Sequence, residues 1–147
     1  MELRTDKIRA CFDRKIGNFT ELWNLSTNTN YVRCAPRDPL IELYGLKNGE
    51  RVKLSGHISD EAEAPDALIL SYDSFGEYDI SAKVTCRCEQ DRLVFSAEIC
   101  NHSTIDVTEI LMPHLGGIYL GNGQKDYLIY PHHAGDKTED PVYNYAE

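Results

Sequence analysis

The chain has 147 residues, 41% of them hydrophobic, which is typical of a folded domain with its own core rather than of a disordered chain. Its formal net charge of −9 would repel a polyanionic partner, so no nucleic-acid binding is predicted. The longest apolar run, Ala67–Leu70, is far shorter than the roughly 20 residues of a membrane-spanning helix. No membrane partner is therefore expected.

The N-terminal residues and the cysteines indicate where the protein works. Residues Met1–Lys7 contain no apolar core of a signal peptide, which predicts a cytoplasmic location. The five cysteines form an odd set without paired short spacings. This pattern favours free buried thiols in a reducing compartment over a disulfide framework.

In the first half of the chain, apolar and polar residues alternate with a period of two, the pattern of half-buried strands. Asn48-Gly49 tolerates the positive φ angles of a tight hairpin turn, and the run 59–66 is predicted to be an exposed acidic loop. The strands predicted here are Lys7–Phe12, Asn18–Asn24, Leu40–Leu46, Glu50–Leu54 and Ala67–Ser74.

The second half contains the clearest alternation, in Asp79–Cys88 and Arg92–Cys100, which the short polar link 89–91 joins into a hairpin. Further strands are predicted at Val107–Met112, Ile118–Leu120 and Asp126–Tyr130. About nine or ten short strands at this spacing are typical of an antiparallel two-sheet β-sandwich. We expect one all-β domain over residues 1–147, with little or no helix.

A family resemblance rests on the motifs between Leu93 and Pro141. A strand ending in Asn101 is followed by Pro113 and the pair Gly116-Gly117. The motif then continues with Asp126, Pro131 and Gly135, in the sequence Asp-Tyr-Leu-Ile-Tyr-Pro-His-His-Ala-Gly. This stretch resembles the N-terminal supersandwich of bacterial glycoside-hydrolase-type proteins, a domain with a galactose-mutarotase-like fold.

The resemblance implies a non-catalytic domain that supports or shapes a sugar-binding cleft. In that family the sandwich precedes a catalytic (β/α)8 barrel, so the partners implied are carbohydrate and a C-terminal barrel domain beyond Glu147. No catalytic residue can be carried over, and no cofactor is expected. The motif residues set backbone geometry, while Tyr130, His132, His133 and Lys137 would lie at the interdomain or sugar-facing side.

Two alternatives remain open. A free-standing carbohydrate-binding module would use Trp23 or the tyrosines as a stacking platform. A mutarotase-like epimerase would use His102, because Asn101-His102-Ser103 is similar to a triplet of aldose 1-epimerases. A general acid needs a partner base, and the sequence offers none at a matching position. A turn between two strands also explains this triplet.

Metal sites are not predicted. Adjacent His132 and His133 would point to opposite sides of an extended backbone. Cys86 and Cys88 share one face of a strand and are interpreted as small core residues. The acidic run lacks the glycine spacing of a calcium loop.

A further expectation concerns assembly. A sandwich that is cut short leaves an unpaired edge strand, and such edges pair with other chains. The sequence therefore predicts self-association through an edge strand.

Overall fold

The computed structural model describes residues 1–34 and 36–118 with their side chains, and the backbone of the strands Tyr127–Tyr130 and Asp136–Glu139. All strand pairs in this part of the chain are antiparallel, and none of its residues is helical. The predicted all-β, antiparallel, sandwich-like fold is thus confirmed.

Three sheets and one hairpin make up the fold. The N-terminal sheet has the order β1-β2-β3-β4, with strands Glu2–Arg4, Ile8–Phe12, Phe19–Asn24 and Thr29–Asn30. The long sheet has the order β10-β9-β8-β7, with β7 Asp60–Ala64, β8 Ala67–Tyr72, β9 Ile80–Glu89 and β10 Arg92–Asn101. The third sheet has the order β11-β5-β6, with β5 Glu42–Lys47, β6 Glu50–Leu54 and β11 Asp106–Leu111. The C-terminal hairpin pairs β12 Tyr127–Tyr130 with β13 Asp136–Glu139.

The buried apolar side chains form one cluster to which all three sheets contribute. On β9 every second residue is buried, with Val84 and Ile80 fully inaccessible. On the N-terminal sheet Phe12 and Phe19 pack against each other with ring centroids 4.8 Å apart. Because strand side chains alternate between faces, the period-two sequence pattern translates directly into this core.

The structure confirms the two predicted hairpins, β5–β6 and β9–β10. Asn48 and Gly49 have φ angles of 55° and 82° in a two-residue turn between β5 and β6. The β9–β10 hairpin keeps an unbroken register, from Arg92 opposite Glu89 to Asn101 opposite Ile80.

Two predicted loops are strands instead. The acidic run contains β7, which pairs with β8 from Asp60 opposite Ser71 to Ala64 opposite Ala67. Residues 136–139, interpreted from the sequence as loop, form β13. Ala62 and Ala64 are the only apolar residues of the two strands and are too small to mark a buried face. Backbone hydrogen bonds can hold an edge strand that has no buried face. The segment β1 was missed for its length, since it has only three residues.

Candidate functional site

A cleft of about 530 Å³ opens between the N-terminal sheet and the first residues of β10. Its floor contains Phe19 from β3 and Phe95 from β10, whose rings meet edge to face with centroids 6.1 Å apart. Further apolar walls are formed by Ile8, Leu22 and Leu93. The volume lies within the range of small-molecule sites, about 300–1,000 Å³.

Polar residues surround this apolar interior. The lining includes Asn24, Ser26 and Tyr31 on the side of the N-terminal sheet, and Asp91 and Arg92 on the side of the long sheet. An apolar interior with a few polar groups at its margin is the usual composition of a ligand site.

An ion pair links the two sides of the cleft. Lys7 Nζ, just before β2, lies 3.4 Å from Asp91 Oδ2 in the β9–β10 turn. Both side chains are 61% exposed, so the pair contributes little to stability.

Trp23 is among the residues that line the cleft. It lies on β3 opposite Arg9 of β2, and its indole N–H donates a hydrogen bond of 2.7 Å to Glu21 Oε2. The same carboxylate oxygen accepts a bond of 2.9 Å from Arg9. These bonds hold the indole beside Arg9 and Glu21, neither of which lines the cleft.

The other predicted site residues in the described part of the chain belong to turns. The Asn101 amide donates to the Ile105 carbonyl at 2.8 Å, and its oxygen accepts the Ser103 hydroxyl at 2.7 Å. These bonds account for the Asn101-His102-Ser103 triplet as a turn, with His102 exposed. Gly117 has a φ of +69°, and a Cβ there would lie 2.7 Å from Cys34 Sγ.

Pro113 and Gly116 flank His114, whose carbonyl accepts a bond of 2.8 Å from the buried Asn18 amide. At Gly116 the nearest atom to an added Cβ is Asp38 Oδ2 at 4.0 Å, so packing does not require glycine there.

Two of the C-terminal candidates lie in strands whose backbone the structure describes. Tyr130 lies opposite Asp136, and Lys137 lies opposite Ile129, in the C-terminal hairpin. The remaining predictions fall outside the described residues: Asp126, Pro131, His132, His133 and Gly135.

The sequence did not predict Glu42, a buried carboxylate on the third sheet. Glu42 is only 2% exposed; it forms an ion pair with Lys53 and accepts a hydrogen bond of 3.0 Å from the Tyr44 hydroxyl. His114 Nδ1 lies 3.4 Å from Glu42 Oε1. Burial by itself raises the pKa of Glu42, but the hydrogen bonds from Lys53 and Tyr44 and the nearby positive charges outweigh it, so the pKa is lowered.

This cluster holds three segments together rather than facing the cleft. It joins β5, β6 and the segment after β11, and the His114 amide donates to the Leu40 carbonyl at 2.8 Å. Glu42 accepts hydrogen bonds from Lys53 and Tyr44, whereas His114 Nδ1 is buried without a hydrogen-bond partner. We interpret it as a structural network.

All five cysteines are free thiols. Cys86 is buried, as expected for a core residue, and burial raises its pKa to about 12. The prediction that the thiols are buried is wrong for Cys34 and Cys100, which are exposed. Within the described ranges, no three His, Cys, Asp or Glu side chains are grouped to hold a metal ion.

Comparison with protein-family models, with curated proteins and with solved structures gave no match. Among the described residues no helix is long and apolar enough to cross a membrane.

Proposed function

We propose that this chain is a non-catalytic β-sandwich of a carbohydrate-active protein, and that the cleft beside Trp23 binds a neutral sugar. The observation that carries the proposal is the composition of the cleft: aromatic residues from two sheets meet in one concavity with polar residues at its margin.

The chemistry of a sugar suits these walls. A pyranose ring has an apolar face of C–H groups, which packs against aromatic rings, and hydroxyls at its edge, which need donors and acceptors. Asn24, Ser26 and Arg92 supply such groups around the margin. The net charge of −9 favours a neutral sugar over an acidic one.

The family resemblance supports a role beside a catalytic domain. In that setting the sandwich would hold part of a longer glycan while a following barrel cleaves it. The closed hydrogen bonding of Asn101 and the exposure of His102 give no support to the epimerase alternative.

The test is binding of the chain to a glycan array, followed by calorimetric titration of the sugars that bind. Trp23→Ala should weaken binding at least tenfold, whereas Trp23→Phe, which keeps an aromatic ring, should retain part of it. Arg92→Ala, at the exposed margin, should weaken binding without changing the fold.

Ile110→Ala is the matched control. Ile110 is 51% exposed and belongs to β11, away from the cleft lining, so its loss should leave affinity unchanged. Absence of binding to any neutral glycan, or equal affinity of Trp23→Ala and the parent chain, would refute the proposal.

A further inference from the structure

Apart from the C-terminal hairpin, the three described sheets have six edge strands, and five of these carry features that discourage pairing with another chain. β1 and β4 have three and two residues. β6 and β7 carry charged residues along the edge, and β11 contains a register shift between Val107 and Glu109. Only β10 among them is long and regular.

β10 has ten residues, contains neither proline nor glycine, and pairs with β9 without a bulge. In the described part of the chain, β9 is its only strand partner. With respect to the described residues, its outer edge is therefore a continuous row of backbone donors and acceptors.

The inward face of the long sheet is less buried at β10 than at β9. On β9, Cys86 and Val84 are 1% and 0% exposed. Their direct neighbours on β10, Phe95 and Ala97, share the same face but are only partly buried. The sandwich buries the inward face of β9 from Ile80 to Cys86 and leaves the inward face of β10 half covered.

We propose that β10 pairs antiparallel with β10 of a second copy of this chain, about a two-fold axis at Ser96. The two long sheets then become one continuous sheet. The inward faces of the two sheets remain continuous only if odd-numbered residues of one β10 lie opposite odd-numbered residues of the other. The two-fold axis must therefore pass through a residue and not between two residues. Axes at Ser96 and at Ala97 each keep nine residues of both copies paired. Ser96 is the better axis, because it sets Leu93 beside Ile99 of the second copy. An axis at Ala97 would instead set Leu93 beside the polar Asn101.

The side chains are complementary in this register. On the inward face Phe95 lies beside Ala97 of the second copy, a large residue beside a small one, and Leu93 lies beside Ile99 of the second copy. On the outward face Val94 lies beside Glu98 of the second copy, so no like charges are directly opposed. A second copy is therefore the occupant that fits this edge.

One strand pair buries less area than a standard interface of about 1,600 Å². We therefore expect a weak dimer whose population rises with concentration. The inference rests on the edge and the inward face of β10 and not on sugar binding, although Leu93 and Phe95 of that face also line the cleft.

A charge-swap experiment tests the register. Ser96 is exposed on the outward face, so its replacement spares the core, and two identical charges would oppose each other at the axis. Sedimentation of Ser96→Glu and of Ser96→Lys alone should each show dimerisation weakened at least about threefold. Mixing the two variants should restore dimers as a heterodimer.

Cross-linking supplies a second readout, in a Cys34→Ser, Cys100→Ser background that removes the exposed thiols. Ser96→Cys should oxidise to a covalent dimer, because the two thiols face each other across the axis. Glu98→Cys is the control, since its two copies would lie roughly 13 Å apart along the strands. A monomer at millimolar concentration, equal cross-linking of the two variants, or failure of the mixed charges to restore the dimer would overturn the proposal.

Discussion

Gly17 lies in the loop before β3 at a φ of +70°, a conformation that residues with a Cβ rarely adopt. A Cβ there would lie 2.5 Å from Leu70 Cδ1 and 3.1 Å from Ile58 Cδ1. Gly76 has a similar φ of +65°, but an added Cβ would meet nothing within 4 Å. Substitution of the two glycines therefore separates the free-energy cost of backbone strain from the cost of side-chain packing.

Gly76→Ala should lower the free energy of unfolding by about 1 kcal/mol, the cost of the left-handed conformation alone. Gly17→Ala should lower it by a further 1–3 kcal/mol or so, because the methyl group overpacks the core. Urea denaturation measures both values. Equal losses in the two variants would contradict the packing described around Gly17.

Glu42 gives the fold a dependence on pH. In the folded state the effect of burial is outweighed by the hydrogen bonds from Lys53 and Tyr44, which hold the pKa of Glu42 below its ordinary value. A lowered pKa means that the stabilisation is fully present above about pH 4.5 and is lost as the pH falls through the folded-state value.

Glu42→Gln should therefore reduce the free energy of unfolding by about 1–3 kcal/mol at pH 7, and the deficit should shrink below pH 4.5. Denaturation curves across this range measure the effect, with Glu50→Gln at the exposed start of β6 as the control. A deficit that is independent of pH would contradict the ionised network of Glu42, Lys53 and Tyr44.

At the scale of the elements, two hairpins use different turn residues at the same backbone angle. Asn48 has a φ of 55° and Gln90 a φ of 56°. Asn accepts this left-handed conformation more readily than Gln.

Gln90→Asn should raise the free energy of unfolding by about 0.5 kcal/mol, and Asn48→Gln should lower it by a similar amount. Thermal denaturation of the two single variants and of the double variant measures these changes in the free energy of unfolding. Changes of the same sign in both hairpins would show that contacts other than the backbone angle dominate.

The elements also show how far sequence patterns reach. β9 and β10 were predictable because one face of each is apolar, so alternation is visible. β7 was not, because its only apolar residues are two alanines among acidic residues, which indicate an exposed loop. β13 was not, because its four residues are all polar. The Asn48-Gly49 turn sets the register of β5 and β6, with Tyr44 opposite Lys53. Lys53 is then diagonal to Glu42 on the same face, so the ion pair between them could have been predicted from the sequence.

For the whole molecule, the antiparallel sandwich followed from the spacing of strands and turns, but the cleft did not. Phe19 and Phe95 are far apart in sequence, and nothing in either strand shows that they meet across two sheets. Trp23 could be selected as an aromatic on a strand, and Glu21 shares its face because the two residues are two positions apart. The packing of the sheets decides which residues line the cleft, and the sequence pattern does not show it. Convergence of distant strands is a property of the packed sheets.

Trp23 is the only tryptophan of the chain, so its indole N–H gives a single resonance that reports directly on the cleft. Titration with a neutral oligosaccharide, followed by NMR of labelled protein, should shift that resonance together with the amides of Asn24, Tyr31 and Arg92, and should leave the third sheet unchanged. Shifts confined to other surfaces, or saturation of binding with the indole resonance unmoved, would contradict a sugar site in this cleft.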